Sequence, residues 1–223
     1  MARPIKRRQP RKTIYVFWEG ESEAAYTGFL KQAFEKCAVI RLHREKGTFF
    51  AAQAFYRGNR RFQSDLTELD EIWFFFDTEV DHGRQWSENM ACLEAIVHSR
   101  PKRNPIQIRL LMTSCCVEYW LLLHYERTAP AMATPADKDR MLNAVRRYMP
   151  DYEKGDITTT TLIAKNYEVA VENGRWSLSR LREDGMPGSE PERNRWLFNG
   201  KHTFTTVHEA IEALLTWRSL SSS

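Results

Sequence analysis

No stretch of this 223-residue chain approaches the ~18 consecutive apolar residues that a membrane-spanning helix needs. The start, Met1 to Arg8, is basic, but no apolar signal-peptide core follows it. Together these absences predict a cytoplasmic protein. Cysteine is scarce: Cys37, Cys92, Cys115 and Cys116 show no CxxC spacing, which speaks against a zinc site or a disulfide framework. There is no internal repeat and no long low-complexity tract. Acidic residues are missing from the first 18 positions, which carry Arg3, Lys6, Arg7, Arg8, Arg11 and Lys12. Beyond them stand 27 basic and 29 acidic side chains, so the net charge of +4 belongs to this arm. Such an arm can bind a phosphate backbone, as Arg60 and Arg61 further on could, or serve as a solubilising leader.

What the chain does have is 42% apolar residues and seven tryptophans, enough for a sizeable core. Its first half alternates. Strands are predicted at 13–18, 38–42, 72–76 and 106–112, and helices between them: one capped by Ser22, one over 49–69, one over 88–98. The unbroken apolar run Ile72–Phe76 suits an inner parallel strand covered on both faces. A βαβαβαβ order predicts a parallel sheet flanked by helices. The second half reads as mostly helical, with helices over 116–126, 136–148 and 161–173. Thr206 with Glu209 has the spacing of a capping box opening a last helix, and Asp184–Pro191 reads as a breaker-rich loop. This divides the chain into a basic arm (1–12), an α/β core (13–126), a helical region packed on it (127–218) and a frayed tail (219–223).

Four acids sit where two strands run out. Glu19 and Gly20 end the first; Asp77, Glu79 and Asp81 end the third. Ligands of open parallel sheets bind beyond the carboxyl ends of strands, and gathered carboxylates suit a hard divalent cation such as Mg²⁺. The chemistry expected there is metal-assisted phosphoryl transfer. Acids in a solvated loop are the plain alternative. Downstream, Glu118 opens a helix after a strand end and can reach the same site. Ser114 reads as an N-cap, His124 as structural, and Cys115 and Cys116 as small buried residues.

The segment Glu19-Gly20-Glu21-Ser22-Glu23-Ala24-Ala25-Tyr26 resembles the EGxxTExxY opening of RloB-like proteins. Ile72 to Asp81 resembles their strand ending in an Asp-x-Asp motif, Val117 to His124 their FExWLLLH segment, and Thr205 to His208 their C-terminal Ser-Thr-x-Val helix start. The resemblance spans about residues 13 to 215. It implies a Toprim-like parallel sheet, with Glu19 as catalytic glutamate and Asp77 with Glu79 as the acidic motif. It also implies Mg²⁺ or Mn²⁺, and nuclease activity on RNA (tRNA among the candidates) or DNA in bacterial anti-phage defence. Two positions depart from the pattern: Glu79 replaces the second aspartate, and Thr113-Ser114-Cys115 stands where Ser-Asn-Pro is usual. The expected catalytic set is therefore Glu19, Asp77 and Glu79. The metal set adds Asp81 and Glu118, and the nucleic-acid set is Arg7, Arg8, Arg11, Lys12, Arg60 and Arg61. The rival expectation is a non-catalytic subunit binding nucleic acid or a partner protein in a defence complex, with a homo-oligomer as a further partner possibility.

Overall fold

The computed structural model describes residues 10–58, 69–78, 85–98, 106–132 and 134–222. The elements run β1 (Lys12–Trp18), α1 (Glu21–Ala33), β2 (Ala38–Leu42), α2 (Phe49–Gly58), β3 (Glu71–Thr78), α3 (Gln85–His98) and β4 (Gln107–Ser114). Then come α4 (Val117–Leu122), α5 (Ala136–Arg146), α6 (Ile157–Ala164), α7 (Tyr167–Ser179), α8 (Glu190–Asn199) and α9 (Val207–Ser222). The strands form one four-stranded parallel sheet in the order β2-β1-β3-β4. This is an α/β fold with a helical C-terminal half.

Successive strand residues face opposite sides, and both sides are apolar. On one, Ile14, Val16, Trp73, Phe75 and Leu111 pack with Tyr26 and Leu30 of α1, Trp120 of α4, Val145, Ile163, Val171 and Ile211. On the other, Phe17, Ile72, Phe74, Phe76 and Met112 pack with Phe49 of α2, Leu93 of α3, Leu197 of α8 and Phe204. Phe74 stacks on Phe49 at 4.8 Å and on Phe17 at 5.5 Å. Every residue of β3 is buried except Asp77, which is half-buried. Full burial of such side chains contributes roughly 1.5–3 kcal/mol each, so β3 is the spine of the molecule. Because β1 leads to β2 on one side while β3 lies on its other side, the carboxyl ends of β1 and β3 form a topological switch point.

Several local expectations change. Gly20, not Ser22, occupies the N-cap of α1. The Ser22 hydroxyl instead accepts from Gly155 N (3.0 Å) and lies 3.2 Å from the Tyr152 hydroxyl. The helix expected over 49–69 runs from Phe49 to Gly58; residues 59–68 lie outside the described residues, and Asp70 holds the backbone of Thr13 rather than a helix. The helix expected over 161–173 is two helices. Asp156 caps α6, accepting from Thr159 N at 2.7 Å, and the chain breaks at Lys165–Asn166 before α7. Ser114 is not an N-cap: its hydroxyl donates to Phe204 O and accepts from Phe204 N. Nor does the capping box form. The Thr206 hydroxyl donates to Leu110 O and accepts from Met112 N, while Glu209 pairs with Arg193. Residues 204–206 thus finish the edge of β4. His124 is structural, as read: it is buried between the Tyr26 hydroxyl (3.0 Å) and Trp120 O (3.0 Å).

Candidate carboxylate site at the switch point

Glu19 directly follows β1. Its amide donates to Phe75 O (3.0 Å), which carries the β1–β3 pairing one residue past the strand. Its Oε2 accepts the Asp77 amide at 3.1 Å. The two acids expected to converge are therefore in direct contact. Asp77 continues the alternation of Trp73 and Phe75, so it faces the layer that holds α1 and α4.

Those two helices bring Glu23 and Glu118, both buried, at 2% and 1% exposure. Glu23 lies in the first turn of α1, four residues after Glu19, and its carboxylate folds back over Gly20. A Cβ at position 20 would come within 2.6 Å of Glu23 Oε2. The glycine is there for close approach, since its backbone (φ −128°) is ordinary. Glu118 opens α4 after a tight turn in which Cys115 adopts φ 69°, donates its amide to Thr78 O and so ties the ends of β3 and β4. Glu118 Oε1 accepts from the Tyr152 hydroxyl (3.2 Å), and Lys154 Nζ stands 3.5 Å from Oε2. The 152–155 turn that supplies both is seated by Gly155, which adopts the left-handed φ of +77° and whose lack of a Cβ leaves room for Glu21.

The four carboxylates perturb one another. The Asp77 carboxyl is held well above the usual carboxylate range, first by burial and then by Glu23, Glu19 and Glu118; Lys138 opposes this. Burial is also the main cause that pushes Glu23 up to about 7, with Glu19 and Glu118 adding to it and Lys46 opposing. The Cys116 thiol is pushed strongly up, by its hydrogen bond with Cys115, by burial, and by Glu118 and Asp77; it is a neutral thiol. Asp77 Oδ1 is sealed from solvent and has no hydrogen-bond partner among the described residues. A buried carboxylate oxygen without a partner is costly unless a cation or a proton meets it.

This donor set has the chemistry of a hard-cation site: carboxylate oxygens, excess negative charge and one orphaned oxygen. It is not a finished cage. Among the described residues no three His, Cys, Asp or Glu side chains are arranged as a metal site. Glu79 and Asp81, expected as ligands, lie outside the described residues, as do Arg7, Arg8, Arg60 and Arg61. Arg11 and Lys12 sit at the opposite end of β1. There Arg11 reaches Glu35 O (3.2 Å) and Lys12 pairs with Asp70 (2.9 Å). Glu23 was absent from the expected set. Its signal was its i+4 spacing from Glu19.

The class is thus an α/β protein with carboxylates gathered at the switch point of a parallel sheet. Within it, the chain belongs to the RloB-like protein family, whose family model matches residues 14–214. No curated protein and no solved structure matches it.

Proposed function

We propose that this protein is a Mg²⁺- or Mn²⁺-dependent nuclease of bacterial anti-phage defence, hydrolysing phosphodiester bonds in RNA, tRNA included, or in DNA. The observation that carries the reading is Asp77: an orphaned, sealed Oδ1 on a carboxyl surrounded by three other carboxylates. The Toprim-like resemblance supports the same chemistry by analogy.

In this reading Glu19 and Asp77 hold the cation, with Glu79 and Asp81 contributing from the segment after β3. A divalent cation held there would supply Lewis-acid chemistry to a phosphodiester. Glu118, fixed by the Tyr152 hydroxyl, would help to orient the groups of the site from the α4 side. Glu23 is the group suited to moving a proton near neutral pH, because its affinity for one is raised to about 7. The fixed Glu19–Asp77 amide contact pre-organises the pair before substrate arrives.

A second reading has one specific observation behind it. The lack of a ready three-residue metal group among the described residues suits a non-catalytic subunit that binds nucleic acid or a partner protein. Purified protein incubated with total tRNA, plasmid and single-stranded DNA, with and without Mn²⁺, separates the two. The nuclease reading expects Mn²⁺-dependent cleavage that Glu19→Gln loses. Cleavage undiminished in Glu19→Gln, or none in any substrate, overturns it.

A further inference from the structure

Away from the carboxylates, α7, the 3-10 turn Arg180–Arg182 after it, α8, α9 and the turn at 186–188 line a half-open cavity of about 520 Å³. That volume lies in the ~300–1,000 Å³ range of small-molecule sites. None of the four carboxylates lines it. Its walls carry Arg175, Arg182 and Arg193 against only Glu209 and Glu212, an excess of one positive charge. Arg193 is held in place by a two-pronged contact with Glu209 (2.7 and 3.0 Å), and Arg175 contacts Glu212 through Nε (2.9 Å). Arg182 is exposed and makes no ion pair among the described residues. His208 also lines the cavity. It is buried, and its Nδ1 has no hydrogen-bond partner among the described residues. Gly174 lets the ring sit this close, for a Cβ there would stand 3.1 Å from Nδ1. Burial, then Arg175 and Arg193, hold His208 neutral, at about 3, so its ring offers both a donor and an acceptor nitrogen.

We infer that this cavity binds a small phosphomonoester. Guanidinium groups match phosphate oxygens two by two. Arg182 makes no ion pair among the described residues, while Arg175 (on Glu212) and Arg193 (on Glu209 and Asn194) add positive charge around the same space. Two are braced by carboxylates, which fixes their direction, while Arg182 supplies the uncompensated charge. Leu178, Met186 and Pro187 line the cavity too and give the rest of the ligand an apolar wall. Walls from three helices and a turn suit a discrete molecule better than a polymer backbone. The breaker-rich loop of the sequence thereby acquires a role: Met186, Pro187 and Gly188 form the side of the site that the helices leave open. The inference stands independently of the nuclease reading, because it shares no residue with that site.

The test is isothermal titration calorimetry of the full chain with adenosine 5′-monophosphate, inorganic phosphate, adenosine and a short RNA oligonucleotide blocked at both ends. Adenosine 5′-monophosphate is expected to bind, inorganic phosphate more weakly, and adenosine not at all. Arg182→Gln, on an exposed side chain that the fold does not use, is expected to weaken the monophosphate about tenfold. Arg195→Gln, exposed on α8 and outside the cavity lining, is the control and leaves binding unchanged. Equal affinity in Arg182→Gln and wild type overturns the site, as does no binding of either phosphate probe at millimolar concentration. Arg182-dependent binding of the oligonucleotide alone overturns the monoester and assigns the arginines to a nucleic-acid backbone.

Discussion

At the amino end of the sheet, Asp70 and Glu71 are carboxylates with partners. Glu71 is buried and accepts from Trp73 Nε1 (2.7 Å) and from Arg109 through Nε (2.7 Å) and Nη2 (3.0 Å). Asp70 takes Lys12 Nζ (2.9 Å) and the Thr13 amide (2.8 Å). At the carboxyl end of the same strands, Glu19, Glu23 and Glu118 crowd Asp77, and each raises its affinity for a proton. Lys154 stands beside Glu118, and Lys46 and Lys138 act on Glu23 and Asp77 as minor opposing charges. β3 carries both kinds, Glu71 at its start and Asp77 near its end, eight residues in one strand. Paired carboxylates hold a sheet together. Gathered ones cost stability, and perturbed groups of this kind cluster at functional sites.

That contrast is open to direct attack. The largest effect is expected from the gathered end. Glu19→Gln and Asp77→Asn each lower Mn²⁺-dependent cleavage roughly a thousandfold, about 4 kcal/mol of transition-state stabilisation, while circular dichroism shows the fold intact. At the paired end the outcome reverses. Arg109→Ala strands Glu71 in the core and costs about 3–5 kcal/mol in urea unfolding, with no change in how the folded protein responds to Mn²⁺.

Glu23→Gln sharpens the comparison through pH. In the folded protein Glu23 holds its proton up to about 7, above its ordinary 4.5. The native state therefore binds more protons than the unfolded chain in that window, and wild-type stability from this group falls as pH rises through it. Buried neutral His124 (about 4) and His208 (about 3) act oppositely, losing stability as pH drops below 6.5. They are common to both proteins and cancel in the difference. The stability of Glu23→Gln relative to wild type is thus expected to climb between pH 4.5 and 7, by up to about 3 kcal/mol. A flat difference breaks the claim that Glu23 is perturbed. The smallest effect belongs to Lys12→Ala. Its pair with Asp70 is 42% and 35% exposed, and removing it costs less than about 1 kcal/mol by denaturant titration.

Much of this contrast was legible in the sequence, and the reasons are local. The apolar runs at 13–18 and 72–76 announced buried parallel strands, and an acid at each strand end announced Glu19 and Asp77. Glu118 came from the family resemblance. What stayed hidden depends on contacts distant in sequence. Glu71 and Arg109 are 38 residues apart, and nothing in either strand's pattern pairs them. Tyr152 reaches Glu118 across 34 residues from a turn with no periodicity of its own. The α6–α7 break was masked because Ile163, Ala170 and Val171 keep helical spacing across it while serving two helices on one core. Helix α8 was missed because its apolar residues, Trp196, Leu197 and Phe198, are consecutive rather than spaced, and Pro187, Gly188 and Pro191 precede or begin it. Thr206 and Glu209 had capping-box spacing, but β4 and Arg193 claimed their side chains.

The central claim is that the carboxyl end of the sheet is a cation site and the amino end is not. Thermal unfolding during a Mn²⁺ titration tests it most directly, with wild type beside Asp77→Asn. A metal that binds only the folded state stabilises it by about 2.7 kcal/mol at a hundredfold excess over its Kd. The account predicts a saturable rise in the wild-type Tm that Asp77→Asn lacks. No rise in wild type, or the same rise in Asp77→Asn, would contradict it.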